Sequence, residues 1–215
     1  MNAIDTRFRD RADGGKQLGE RLKGRELRAP LVLAIPRGGV STGLALAREL
    51  GAELDVILSR KLRAPFKPEY AIGAIAEDGQ VTLNPDAVAV ASEEYLEEEK
   101  RHQLAEIARR AKLFREVRPA APIAGRSVIV TDDGIATGST MVAALRSARA
   151  HHPHELIMAV PVAPPERLEH MRRLCDEALC LLAPVDFYAV GQFYEEFNTV
   201  EDEQVVRMLR EAAVV

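Results

Sequence analysis

Two short runs of the chain are apolar at every position, and each passes directly into a turn of small residues and then a helix-periodic segment. Leu31-Val32-Leu33-Ala34-Ile35 opens into Pro36-Arg37-Gly38-Gly39-Val40-Ser41-Thr42-Gly43, followed by a helical stretch from Leu44 to Leu50 that Gly51 closes. Val128-Ile129-Val130 opens through Thr131 into Asp132-Asp133-Gly134-Ile135-Ala136-Thr137-Gly138-Ser139-Thr140, with apolar periodicity from Met141 to Ala150. A strand apolar on both faces must be covered on both faces, which a parallel sheet with crossover helices provides. Strand signals at Leu54 to Leu58, Glu155 to Val160 and Ala178 to Leu182, with a helix over 164–175, continue the rhythm. The expected fold is α/β, a doubly wound, mostly parallel sheet flanked by helices and joined by right-handed crossovers. Ligands of such sheets bind beyond the carboxyl ends of the strands, where both small-residue turns fall.

The turn after Val130 carries the sharper chemistry. Gly134, Ala136, Gly138 and Ser139 let backbone approach a ligand closely, and the first N–H groups of the next helix are donors at its positive end. Such a place suits a phosphate. Asp132 and Asp133 repel a phosphate, so they face something else, such as sugar hydroxyls or magnesium. Read alone, the same residues also fit a solvated turn with Ser139 as a helix cap. In the first turn Arg37 is the only charge, and a guanidinium between a proline and two glycines can fork onto a phosphate. Read alone, that turn is equally a tight strand-to-helix connection with an exposed arginine.

All 13 positions from Val128 to Thr140 resemble the 5-phosphoribosyl-1-pyrophosphate (PRPP) binding motif of type I phosphoribosyltransferases. The resemblance extends over the core from about Leu31 to Leu182. It implies that Asp132 and Asp133 hold the ribose hydroxyls, and that Ala136, Thr137, Gly138, Ser139 and Thr140 hold the 5′-phosphate. It makes Arg37, Gly38 and Gly39 part of a pyrophosphate loop, which in that family often contains a non-proline cis peptide. Ser59 to Tyr70, with four cations, two prolines and no periodicity, is expected to be a loop. It sits where the family's mobile loop closes over the reaction centre, so Arg60 and Lys61 are expected on the pyrophosphate.

Ala71 to Ala76 and Val81 to Leu83 flank Glu77-Asp78-Gly79-Gln80, which predicts a β-hairpin. A long helix is expected from Ser92, its N-cap, to Arg118, with acids crowding its first turns and cations its last. Leu104, Ile107, Ala111 and Phe114 make its predicted buried stripe, and its acidic run is read as a solvated face. A charged N-terminal helix is expected over about 10–24, broken at Gly14-Gly15. The tail from Asp186 to Phe197 holds five of the chain's ten Phe and Tyr residues, ahead of a last helix from Glu201 to Ala212. Phe193, Tyr194 and Phe197 are either core packing or a flat acceptor hood. The expected organisation is one domain over 1–215, with an N-terminal arm at 1–28, a helical insertion at about 84–120 and a C-terminal appendage at about 184–215.

A net charge of −4 argues against a generally basic surface for nucleic acid. No apolar run approaches a membrane span, and Met1 to Asp5 lacks the core of a signal peptide, so a cytoplasmic location is expected. Cys175 and Cys180 are expected to be reduced core thiols. His151, His152 and His154 fall in a surface connection with no further ligand cluster to complete a metal site.

The resemblance implies transfer of the phosphoribosyl group of PRPP to a nitrogen nucleophile, a nucleobase-like acceptor, with release of pyrophosphate. Asp132, Asp133, Arg37 and Lys61 would carry the catalysis, and Mg2+ would be held mainly through the substrate rather than by direct protein ligands. Dimers are common in the family, so a homodimer is one expectation. Two rivals stand beside the enzyme. One is a module that senses PRPP or a nucleotide without turnover. The other is a nucleotide-binding or phosphohydrolase α/β protein, which calls for a G-x-x-x-x-G-K-S/T or G-x-G-x-x-G turn, and neither occurs.

Overall fold

A computed structural model describes residues 7–83 and 91–212, with backbone alone at 68–70. Residues 1–6, 84–90 and 213–215, which include parts of the expected arm, insertion and appendage, lie outside the described residues. The elements in order are α1 (Arg11–Leu22), β1 (Leu31–Ala34), α2 (Gly39–Leu50), β2 (Glu53–Val56), β3 (Ser59–Ala64), β4 (Lys67–Ala76), β5 (Val81–Leu83) and α3 (Glu93–Arg115). Then follow β6 (Ser127–Thr131), α4 (Ser139–Ala150), β7 (Glu155–Val162), α5 (Pro165–Met171), β8 (Glu177–Leu182) and α6 (Asp202–Ala212).

Five strands form one parallel sheet in the order β2-β1-β6-β7-β8. Most positions along its strands are apolar because alternate side chains feed two separate cores. Val32, Ala34, Ile129, Ile157 and Ala159 pack with Leu18 and Leu22 of α1, Leu44 and Leu46 of α2, and Val205 and Leu209 of α6. Leu31, Leu33, Val128, Val130, Leu156 and Met158 pack on the opposite face with Met141 and Leu145 of α4 and Leu168 and Met171 of α5. The doubly wound expectation therefore holds. Strand order reverses between β1 and β6, which opens a crevice at their carboxyl ends. Both small-residue turns border it.

Three expectations are corrected. Ser59 to Tyr70 is not a loop: β3 and β4 form an antiparallel hairpin, and β5 adds a third strand. Register shifts on either side of Arg63 hide the two-residue period, and the hairpin buries Leu62 and Ala64 beneath its cations. Gly14 and Gly15 do not break α1, which runs unbroken and buries both. A Cβ at Gly15 would stand 2.1 Å from the Thr42 carbonyl oxygen, so the glycines are what lets α1 lie against α2. In α3, Ile107 and Phe114 are buried as expected, but Leu104 and Ala111 only partly. Glu99 and Gln103 are buried instead, so the acidic run is not wholly a solvated face.

The hairpin over Ala71 to Leu83 forms as expected, with Gly79 at φ +83° in its turn. Ser92 caps α3, its hydroxyl accepting from the Tyr95 N–H at 3.2 Å. Among the described residues no helix is long and apolar enough to cross a membrane.

Candidate functional site

The first turn leaves β1 through a cis Pro36–Arg37 peptide bond and becomes α2 at Gly39, so Val40 to Gly43 are helical rather than part of the turn. The second leaves β6 at Thr131, whose hydroxyl donates to the Ala159 carbonyl at 2.6 Å, anchoring the strand end. The two turns touch. A Cβ at Gly38 would lie 2.1 Å from Asp133 Oδ2, and one at Gly39 would lie 2.8 Å from Asp132 Oδ1. Two glycines are therefore required where the loops pass, and the crevice brings Gly38 and Gly39 against Asp133 and Asp132, while the Arg37 side chain turns to Glu201.

The acids do not stand free. Arg11, at the start of α1, donates from Nε to Asp133 Oδ2 at 2.7 Å, with little of either side chain exposed. Its guanidinium lies 3.8 Å from the centre of the Phe197 ring, and Nη1 donates to the Asn198 carbonyl at 2.7 Å. The Tyr194 hydroxyl donates to the Asp133 carbonyl at 2.5 Å, and Asp132 Oδ1 accepts from the Asp133 N–H at 2.8 Å. Arg37 pairs with Glu201 just before α6, at 2.9 Å.

Phe193 and Tyr194 are thereby core residues. They are 8% and 5% exposed and pack with Phe8 and Phe187, so neither offers a face for an acceptor ring. Phe197 is 37% exposed, stacks on Tyr194 and carries Arg11 on its ring. The aromatic cluster secures the acidic turn from behind.

In the loop before α4, Gly138 adopts φ +83° as the helix N-cap, a conformation glycine takes without strain. Ala136, Thr137 and Thr140 are exposed, Ser139 is half-buried and Gly138 is buried. A hollow of about 180 Å³ lies against this loop and Asp132, edged by Val190. Beside it a larger pocket of about 390 Å³ joins three regions: Pro36 of the first turn, Thr137, Ser139 and Thr140 of the second, and Arg60 and Lys61 of the hairpin. α3 supplies the last wall.

A phosphoribosyl transferase domain model matches residues 15–197. Two curated relatives from Mycobacterium tuberculosis, strains CDC 1551 and H37Rv, provisionally named phosphoribosyl transferases, are 43% identical over 210 residues. The chain belongs to the phosphoribosyl transferase domain family. The match covers 95% of this chain and 47% of each relative, so the chain spans about half the length of these relatives. The crystal structure of TT1426 from Thermus thermophilus shares the architecture at a TM-score of 0.92 and 45% identity, over 95% of this chain and 98% of that one.

In this phosphoribosyl transferase domain, burial pushes the Asp132 carboxyl well above the usual carboxylate range, and the adjacent Asp133 charge adds to the effect. The Asp133 N–H bond and Arg11 oppose it. Burial, reinforced by Asp133, likewise pushes the Tyr194 hydroxyl up, so it stays a neutral donor. Cys175 and Cys180 are free thiols, and burial raises Cys180 to about 11, which leaves it unreactive. His151 bonds Asp78 and the Ser147 carbonyl, and no group of three or more metal-binding side chains occurs among the described residues.

Sequence reasoning missed Arg11, Glu99, Gln103, Glu106, Arg110 and Glu201. Arg11 lies 122 positions from Asp133, and nothing in its local sequence sets it apart from the neighbouring arginines. The spacing of Glu99 and Gln103 on α3 was legible, but not which face of that helix meets the hairpin.

Proposed function

We propose that the domain binds PRPP with magnesium across the crevice and transfers its phosphoribosyl group to a nitrogen nucleophile, a nucleobase-like acceptor, releasing pyrophosphate. The observation that carries this reading is the large pocket, which opens at once onto the Pro36 turn, the phosphate loop and the basic hairpin. A ligand with a phosphate at each end needs those three walls. Asp132 and Asp133 stand where the two turns meet and would accept from the ribose hydroxyls.

The acids' hard oxygens suit magnesium, an ion that keeps water and substrate oxygens among its ligands. When bound, it neutralises charge on the pyrophosphate. In the reaction the anomeric C–O bond breaks with its electron pair leaving on pyrophosphate, while the acceptor nitrogen forms the new bond to that carbon. Asp132 and Asp133 would fix the ribose and stabilise positive charge developing on it, and Arg37 and Lys61 would meet the departing anion. Ala136, Thr137, Gly138, Ser139 and Thr140 would hold the 5′-phosphate. Gly38, Gly39 and Arg60 would complete the pyrophosphate end. Arg37 must first exchange Glu201 for the ligand, and the Arg11–Asp133 pair must open or share.

Those two pairs also favour a second reading, a module that senses PRPP without turnover. Pyrophosphate release from PRPP in the presence of any base or amine separates the two. Calorimetric titration of magnesium PRPP tests what they share. Wild type binds, and Asp132→Asn/Asp133→Asn weakens binding at least about 100-fold, the equivalent of two charge-assisted hydrogen bonds. A folded wild type that does not bind PRPP rules out both.

A further inference from the structure

Helix α3 presents Gln103, Glu106, Ile107 and Arg110 to the large pocket, positions that share one helical face. Gln103 is 1% exposed and Glu99, one turn earlier, 7%. Burying an amide and a carboxylate on a helix that could present apolar side chains is costly unless each polar atom is used. Here both are used. Glu99 Oε1 accepts from the Arg63 N–H at 3.0 Å, from Arg63 Nε at 2.9 Å and from Gln103 Nε2 at 2.9 Å. A carboxylate has nothing to donate, so it turns the amide nitrogen of Gln103 toward itself and the amide oxygen away. That oxygen accepts from Arg60 Nε at 2.6 Å. The Tyr95 hydroxyl fixes the same strand, donating to the Arg63 carbonyl at 3.1 Å.

Arg63 is thus consumed by Glu99, while Arg60 is held through Nε, an attachment that leaves the fork of terminal nitrogens to face a ligand. Arg110 lines the pocket, half-buried, without a carboxylate partner among the described residues, although Glu106 lies one turn away on the same wall. Arg60, Lys61, Arg63 and Arg110 line one pocket with Glu106 as the only acid among the described residues that line it.

We propose that α3 is a working wall of the anion subsite, with Arg110 contacting the pyrophosphate group directly and Gln103 a positioning residue that, held by Glu99, aims Arg60 at it. This rests on the phosphoribosyl transfer reading and assigns residues to one end of its ligand. The hairpin in this account is a preformed half of the subsite braced by the helix rather than a loop that orders on binding.

The test is titration of inorganic pyrophosphate with magnesium, and separately of ribose 5-phosphate, into wild type, Arg110→Gln, Gln103→Met and the control Arg109→Ala. Arg109 is exposed and lines no part of the pocket. Arg110→Gln and Gln103→Met are expected to weaken pyrophosphate about 10- to 100-fold, the loss of one charge-assisted contact. Ribose 5-phosphate should change less than about twofold in both, and Arg109→Ala should match wild type for both ligands. A merely structural Gln103 would lower the affinities together, and that equal loss overturns the proposal. Wild-type pyrophosphate affinity in both helix variants also overturns it. If wild type binds PRPP while the helix variants behave normally, only the role of α3 fails. If wild type binds neither PRPP nor pyrophosphate, the transferase reading fails with it.

Discussion

At the acidic turn after β6 each carboxylate already has a partner from the chain itself, whereas the cations between the hairpin and α3 line an open pocket of about 390 Å³. The difference follows from where the charges sit. Asp132 and Asp133 are adjacent, partly enclosed by two turns in contact, and repel each other, so the ligand-free chain has to compensate them internally. Arg11 and the Asp133 N–H do this, while the Tyr194 hydroxyl holds the Asp133 backbone carbonyl. On the other side Arg63 pairs with Glu99 and Arg60 is held through Nε by Gln103, so these cations are braced from α3 at the edge of an open pocket rather than enclosed between two turns. On the proposed reading, binding at the acidic end would exchange these partners, whereas at the basic end it would engage the Arg60 nitrogens beyond the Nε held by Gln103.

Breaking the exchange should produce the largest effect. Arg11→Met leaves Asp133 beside Asp132 without its cation and removes the contact on Phe197. We expect a loss of about 2 kcal/mol in denaturant unfolding, below the roughly 3–5 kcal/mol typical of a fully buried pair. The change isolates the acidic half, so pyrophosphate affinity should stay within about threefold of wild type. A variant as stable as wild type would mean that the Arg11 pair does not compensate the turn.

A subtler variant sharpens the comparison through pH. The Asp132 carboxyl is raised by burial and by Asp133, so its protonated form is favoured in the folded state. The stability it contributes is full below the ordinary value of about 3.9 and is lost as pH rises through its folded value. Asp132→Asn is therefore expected to raise the midpoint at pH 7 by roughly 2–4 °C, about 1 kcal/mol in a chain of this size. The gain should shrink on acidification and vanish near pH 4, the opposite of what a carboxylate stabilised by cations would give. A midpoint lower than wild type at pH 7 would remove the case for a strained acidic turn.

The smallest effect is expected at the strut between the halves. His151 at the end of α4 reaches Asp78 in the β4–β5 turn at 2.7 Å. Burial works to lower its pKa, but the Ser147 carbonyl and Asp78 outweigh it and leave His151 raised. Its stabilisation is present below about 6.5 and fades as pH rises through the folded value. His151→Ala should cost about 0.5 kcal/mol more at pH 6 than at pH 8, with pyrophosphate binding unchanged at either. A cost independent of pH would mean the pair carries no charge.

How much of this was legible depends on how local the cause was. The unbroken apolar runs of Leu31 to Ile35 and Val128 to Val130 specify strands covered on both faces, and the glycines and acids that follow specify turns that can approach a ligand, because strand burial and turn chemistry are set within a few residues. The β3–β4 hairpin was hidden because its pairing contains irregular registers and two of its cations, Arg60 and Arg63, are met by α3, more than thirty residues later. The aromatic tail was ambiguous for a related reason: composition gives the rings, and only packing decides that Phe193 and Tyr194 turn inward against Phe8. By itself, the sequence determined the parallel sheet, the two small-residue turns at its carboxyl edge and the family motif. Tertiary structure alone decided that Arg11 meets Asp133, that Arg37 meets Glu201 and that Gln103 meets Arg60, because long charged side chains find partners by proximity in space, which no local pattern encodes.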